Sequence, residues 1–211
     1  MPPFTIALPI GRLGDASLDF LRRSGVANFS RPDGRALSFL DTTGAFRVIL
    51  VRNRDVAEYV LHGGADVGIA GRDDMAERGY DLTVPLELGF GNCRLVLAAQ
   101  ERAFALRQHV RVATKYPRLT QDYFFRQGVS CEVLKLHGSI EIAPLLGLAD
   151  CIVDIVQSGA TLRANGLLEV ATLLESTAVL VAPRATFALK TERMSLLLDR
   201  MRAATEEEGR E

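Results

Sequence analysis

The chain has 211 residues, 48% hydrophobic and 24% charged, with a formal net charge of −1. That length allows one large domain or two small ones, and that composition supports a sizeable core and argues against disorder. Interspersed acids and bases argue against a nucleic-acid surface, and no apolar run approaches the roughly 18 residues that span a bilayer. The three cysteines, Cys93, Cys131 and Cys151, lie far apart at no metal-ligand spacing and read as reduced thiols. The N-terminus lacks a basic region before its short apolar run, so a soluble cytoplasmic protein, binding neither nucleic acid nor membrane, is expected.

Residues 4–8 read as a strand and 9–14 as a loop. Asp15 reads as the N-cap of a helix burying Leu18, Leu21 and Phe20, ended by Gly25. Arg31-Pro-Asp-Gly34 reads as a turn, 37–40 as a short strand and 46–51 as a stronger one. A polar loop over 52–55 leads to a helix over 56–61, capped by Asp55 and stopped by Gly63 and Gly64. Residues 67–70 read as a strand, 71–74 as a loop, 75–78 as a helical turn and 82–86 as a strand. Strands follow at 94–99, 110–114, 133–136 and 151–156. Between them, 101–108 reads as a solvated helix or loop, 119–127 as a helix entered at Pro117, and 140–146 as a helix capped by Ser139. Two β-rich runs, 167–174 and 178–182, precede a helix over 190–202 with apolar spacing at Met194, Leu197, Leu198 and Met201. The acidic tail, 205–211, reads as frayed. This alternation predicts α/β architecture with parallel sheets. Two α/β subdomains with a ligand cleft between them are expected. One holds residues 1–90 joined by the returning segment 179–211, the other residues 91–178.

The stretch from Asp150 to Leu162 concentrates the chemistry. An apolar strand runs into Gln157, Ser158, Gly159, Ala160 and Thr161, and a helix can start at Leu162. Outward N–H groups in such a loop favour an anion, Gly159 lets a phosphate approach the backbone, and Ser158 and Thr161 supply hydroxyls. An ordinary βα turn with a capping serine would use the same residues. The nucleotide loops with fixed glycine spacing are absent. Alternation puts Asp150 and Asp154 on one strand face. Asp150 fits a turn. Asp154 lies inside an apolar strand, where a carboxylate needs a ligand hydroxyl, a metal or an arginine. Gly11, Arg12, Arg52, Arg54, Arg72 and Asp73 all follow predicted strands, which is the ligand edge of a parallel α/β sheet. His62, His109 and His137 show no metal spacing, and no Ser/His/Asp or Cys/His set is defensible.

Glu141, Gly147, Ala149, Ile152, Asp154, Ile155 and Ser158-Gly-Ala-Thr-Leu162 resemble the phosphoribosyl-diphosphate signature of ATP phosphoribosyltransferases. Ala7-Leu-Pro-Ile-Gly-Arg-Leu13, Val67-Gly-Ile-Ala-Gly-Arg-Asp73, Ala113-Thr-Lys-Tyr-Pro117 and Asn165-Gly-Leu167 are also similar to that family. The chain departs from the pattern at Ile10, where a lysine is common, and at Ala57, where a proline is common. It stops after the helix near Arg202 and so resembles the short form, without an added regulatory domain.

The resemblance implies a type II periplasmic-binding-protein-like fold and a pentosyltransferase. It would join N1 of ATP to C1 of 5-phosphoribosyl 1-diphosphate with inversion, releasing diphosphate, as the first step of histidine biosynthesis. It implies Mg²⁺ held mainly on substrate oxygens. Gln157, Ser158, Gly159, Ala160, Thr161 and Leu162 would hold the 5′-phosphate end of the donor. Asp154 with Glu141 would hold ribose hydroxyls, and Arg52 or Arg54 the diphosphate. Gly11, Arg12, Arg72 and Asp73 would lie on the ATP side. The implied partner is a separate regulatory subunit resembling histidyl-tRNA synthetase, which would transmit feedback by histidine to a homodimer within a hetero-oligomer. The alternative is a non-catalytic two-lobed small-molecule binding or effector module.

Overall fold

The computed structural model describes residues 2–29, 36–101 and 109–208. The turn expected at Arg31 to Gly34, most of the solvated segment 101–108 and the end of the acidic tail lie outside them. In chain order the regular elements begin with β1 (Phe4–Pro9), α1 (Arg12–Arg23), β2 (Ser38–Leu40) and β3 (Phe46–Val51). Next come α2 (Val56–Leu61), β4 (Val67–Gly71), α3 (Arg72–Arg78), β5 (Thr83–Glu87) and β6 (Cys93–Ala99). β7 (His109–Thr114), α4 (Pro117–Arg126), β8 (Ser130–Lys135), β9 (Cys151–Val156), α5 (Ala160–Ala164) and β10 (Leu168–Ser176) follow. The chain ends with β11 (Ala178–Ala182), α6 (Arg184–Leu189) and α7 (Thr191–Glu208).

The chain divides into two units. The first holds Met1–Met75, Gly79–Gly91 and Thr177–Glu211, and the second Ala76–Arg78 and Asn92–Ser176. The first unit's sheet runs β2-β3-β1-β4-β11-β5 among the described residues. β1 is parallel to β3 and β4, and apolar on both faces, as a strand covered on both sides must be. Phe4, Ile6 and Leu8 pack with Phe20 and Leu21 of α1 and with Met194, Leu197 and Met201 of α7. Ala7 faces the other way, against Val56 and Val60 of α2. The second unit's sheet runs β10-β6-β9-β7-β8, also with a core on each face.

Neither sheet is wholly parallel, as strict alternation had suggested. β11 returns antiparallel between β4 and β5, β2 forms a hairpin with β3, and β6 is antiparallel to both β9 and β10. The short turn between β2 and β3 forces reversal there, and β6, lying between β9 and β10, runs opposite to both, while α5 joins β9 to β10.

Several helix boundaries also differ from expectation. α1 starts at Arg12, not Asp15, with Gly11 as N-cap at φ 96°. The reason is close approach: a Cβ on Gly14 would lie 1.8 Å from the Pro9 carbonyl oxygen, so glycine lets the first turn ride on the end of β1. The expected loop at 71–74 is the first turn of α3. The helix expected over 140–146 is a 3-10 turn at Ile140–Ile142. Ser139 stands before it at φ 50° without capping it, and Pro144 lacks the N–H that a helix would direct to Ile140. The segment 205–208, expected to fray, continues α7, and α6 precedes it.

The β2–β3 turn is organised by Asp41. Its carboxylate accepts from the Thr43 hydroxyl and from the Thr43 and Phe46 N–H groups. Burial pushes this carboxyl upward, but these hydrogen bonds prevail and hold it below its ordinary 3.8. A depressed folded pKa stabilises the fold above the ordinary value, and that stabilisation is lost as pH falls through the folded one. Asp41→Asn should therefore cost about 1–2 kcal/mol at pH 7 in urea denaturation, and the gap to the parent should close as pH drops below 3.8. A gap independent of pH would contradict this.

Candidate active site

In the second unit β7, β8 and β9 run parallel, so their carboxyl ends share one edge. Lys115 and Tyr116 follow β7, the turn bearing Glu141 follows β8, and Gln157 to Gly159 follow β9. This is the edge at which open α/β sheets present ligands.

Asp154 stands opposite Val96 on β9. Its face neighbours, Ile152 and Val156, pack with Ile140, Ala143 and Leu162. The 3-10 turn carrying Glu141 and the helix α5 therefore cover the same face that bears Asp154. The Asp154 side chain is only 13% exposed and meets the Lys115 ammonium at 3.0 Å. Its Oδ1 also accepts from the Ile155 N–H at 2.8 Å. The partner demanded by a carboxylate in an apolar strand is thus a lysine. Lys115 was not singled out as a site residue in the sequence. The rule that picked out the arginines, a cation just after a strand, would have found it.

The loop after β9 is held from both ends. Val156 and Leu162 are buried in one core, while Gln157, Ser158, Ala160 and Thr161 are exposed. Gly159 is the N-cap of α5 in the left-handed region, φ 72°. A Cβ there would lie 3.0 Å from both Arg163 Nη1 and Glu169 Oε1. Glu169 in turn pairs with Arg94 at 3.1 Å. Arg94, Arg163 and Glu169 border the loop and were not read from the sequence, because they come from three elements with no shared motif. Asp150 is separate from this group. It receives the Arg111 N–H at 2.8 Å and the Arg111 guanidinium at 2.9 Å, so it fastens the start of β9, as a turn residue would.

In the first unit β1, β3 and β4 likewise end at one edge. Gly11 and Arg12 follow β1, the exposed Arg52 and Arg54 follow β3, and Arg72 and Asp73 follow β4. Ile10, half exposed here, donates its N–H to the Val51 carbonyl. Arg72 is ion-paired with Glu87. Asp73 is buried, and a Cβ on Gly71 would meet its Oδ1 at 2.4 Å. Gly71 thus admits the carboxylate against the backbone.

Among the described residues no three or more His, Cys, Asp or Glu side chains gather as a metal cluster. His62 and His109 are exposed beside Glu58 and Glu132. Burial, with the Asp150 and Cys131 charges adding to it, pushes the Cys151 thiol up to about 12, so it is not a nucleophile near neutral pH. Among the described residues no helix is long and apolar enough to cross a membrane.

The family model described as "HisG: ATP phosphoribosyltransferase" matches residues 52–203. The ATP phosphoribosyltransferase of Leptospira biflexa is 46% identical over 198 residues, covering 92% of this chain and 97% of its own. That of Sorangium cellulosum is 43% identical, covering 99% of each. Among solved structures, a chain of the ATP phosphoribosyl transferase (HisG:HisZ) complex from Thermotoga maritima superposes with a TM-score of 0.83 at 30% identity. That match covers 97% of this chain and 99% of the other. The alkanesulfonate-binding protein SsuA from Xanthomonas axonopodis pv. citri shares the fold alone, with a TM-score of 0.58 at 14% identity and coverage of 97% and 73%. This chain belongs to the ATP phosphoribosyltransferase family.

Proposed function

We propose that this chain transfers the phosphoribosyl group of 5-phosphoribosyl 1-diphosphate to N1 of ATP, with the ribosyl donor at the carboxyl edge of the second unit's sheet. The observation that carries the reading is the pairing, on one strand end, of the left-handed Gly159 loop with the largely covered Asp154 carboxylate and its Lys115 partner. A loop of exposed N–H groups and hydroxyls suits a phosphate, and a carboxylate a few residues away suits hydroxyls. A ribose phosphate carries both. Family membership supports the same donor.

In the reaction the adenine N1 lone pair forms the bond to C1 of the ribose. The C1–oxygen bond breaks on the opposite face, and its electron pair leaves with diphosphate. The ribose passes through an oxocarbenium-like state, so positioning and charge stabilisation dominate. The Gln157–Thr161 backbone and hydroxyls hold the 5′-phosphate. Asp154, with Glu141, accepts from ribose hydroxyls, and its charge opposes the positive charge that develops on the ring. Lys115 orients Asp154 through their 3.0 Å ion pair. Arg52 or Arg54 receives the diphosphate, and Gly11, Arg12, Arg72 and Asp73 serve ATP. N1 is already nucleophilic, so no dedicated general base is required.

The family's phosphoribosyl-diphosphate chemistry generally needs a divalent metal. With no cluster of three protein ligands among the described residues, the metal would take most of its oxygens from substrate, which is how Mg²⁺ commonly binds. It would supply charge neutralisation at the leaving diphosphate. The likeness to a chain of the Thermotoga maritima HisG:HisZ complex supports a separate regulatory subunit; that this subunit resembles histidyl-tRNA synthetase and binds a homodimer of this chain is part of the proposal.

Replacing both Ser158 and Thr161 by alanine should raise KM for the ribosyl donor by about tenfold or more while changing that for ATP little, since each hydroxyl lost is a charge-assisted hydrogen bond. Equal effects on both substrates would remove the phosphate from this loop. Asp154→Asn should lower kcat by about 100-fold. A variant turning over at the parent rate would take Asp154 out of the mechanism.

A further inference from the structure

The segment that carries Lys115 is pinned on both sides, and only one of the pins is local. Upstream, the Thr114 hydroxyl donates to the Val153 carbonyl at 2.6 Å and accepts from the Tyr116 N–H at 2.9 Å. That joins the end of β7 to β9 one residue before Asp154. Downstream lies the first turn of α4, whose sequence supplies no cap of its own. Tyr116 stands at the N-cap without a side-chain capping hydrogen bond, Pro117 follows it, and the first turn has no acid. The orphan N–H groups of this turn go instead to a carboxylate 41 and 42 residues away in sequence. Glu77, in the part of α3 that belongs with α4 to the second unit, accepts from Arg118 N–H through Oε1 and from Leu119 N–H through Oε2, each at 2.9 Å. The Glu77 carbonyl also accepts from Arg118 Nε at 2.8 Å.

We propose that Glu77 is a positioning residue for the ribosyl-donor site: its carboxylate clamps the N-terminus of α4 and thereby holds Lys115 where its ammonium meets Asp154. The argument is geometric. Lys115 lies three residues before Arg118, and its side chain is 42% exposed, with a long flexible stem that packing does little to fix. Its ammonium also lies over the Tyr116 ring, 5.4 Å from the centroid. Tyr116 is buried and sits between the Thr114 pin and the Glu77 clamp. Releasing the clamp frees the first turn of α4, lets Tyr116 and the Lys115 backbone shift, and loosens the ion pair. The Glu77 contacts are with Arg118 and Leu119 of α4, and it is through them that the proposed effect reaches Lys115.

This inference rests on the proposed donor site, and a double-mutant cycle separates the two. Phosphoribosyl diphosphate with Mg²⁺ is titrated by calorimetry into the full chain and into Glu77→Ala, Lys115→Met and the double variant, with urea midpoints measured alongside. Glu77→Ala should weaken donor binding by about tenfold in the Lys115 background and leave it unchanged in the Lys115→Met background, because residues that act through one another are not additive. Glu77→Gln, which keeps one acceptor oxygen, should fall between parent and Glu77→Ala. A merely structural clamp would weaken binding equally in both backgrounds, in step with the urea midpoint, and that result would overturn the proposal. If Lys115→Met alone leaves the affinity unchanged, the proposal is also overturned while the loop's role stands. If the parent itself binds no donor, the proposed site and this inference fall together.

Discussion

A carboxylate in the middle of an apolar strand is costly unless something answers its charge, and one edge of the second unit's sheet is arranged around such a group. Asp154 sits on the face of β9 that otherwise buries Ile152 and Val156. Lys115 answers it from the end of the neighbouring strand, at 3.0 Å. The pair is within reach of solvent, so it escapes the full cost of a buried ion pair. That leaves the carboxylate oriented by its lysine, with part of its surface open, which suits accepting from hydroxyls of an incoming sugar.

The same face explains why the phosphate loop stands where it does. Leu162 is buried with Val156, so the chain must turn back within a few residues of the strand end. Gly159 provides the left-handed turn at φ 72°, which an L side chain rarely adopts, and a Cβ there would press on the ends of Arg163 and Glu169. The exposed hydroxyls and N–H groups of the loop are a consequence of this turn. Close approach recurs in the first unit, where Gly14 and Gly71 let helix starts ride directly on strand ends and bring Arg12, Arg72 and Asp73 to one edge.

Much of this was legible in the sequence, and the reason is that strand ends announce themselves. Apolar runs bounded by polar residues marked β1, β3, β4, β6, β7 and β9, and the residues just past β1, β3, β4 and β9 read as a ligand edge. What stayed hidden depends on residues far apart in the chain. The starts of α1 and α3 turn on what faces Gly14 and Gly71, the Pro9 carbonyl oxygen and the Asp73 carboxylate. The Lys115 partner of Asp154 is set by strand order, which periodicity does not reveal. The antiparallel return of β11 and the Glu77 clamp on α4 are products of tertiary pairing over many tens of residues. Ser139 and Pro144 show the opposite failure, where a plausible local cap lost to a missing N–H.

The account is tested most directly by following ³¹P resonances of ATP and phosphoribosyl diphosphate with Mg²⁺ in the presence of this chain, alone and with a candidate regulatory subunit. It predicts stoichiometric appearance of free diphosphate and of a new phosphomonoester from phosphoribosyl-ATP in at least one of the two mixtures, and loss of both signals' growth in Asp154→Asn. Donor and ATP persisting unchanged in both mixtures would contradict it and leave a binding module in place of an enzyme.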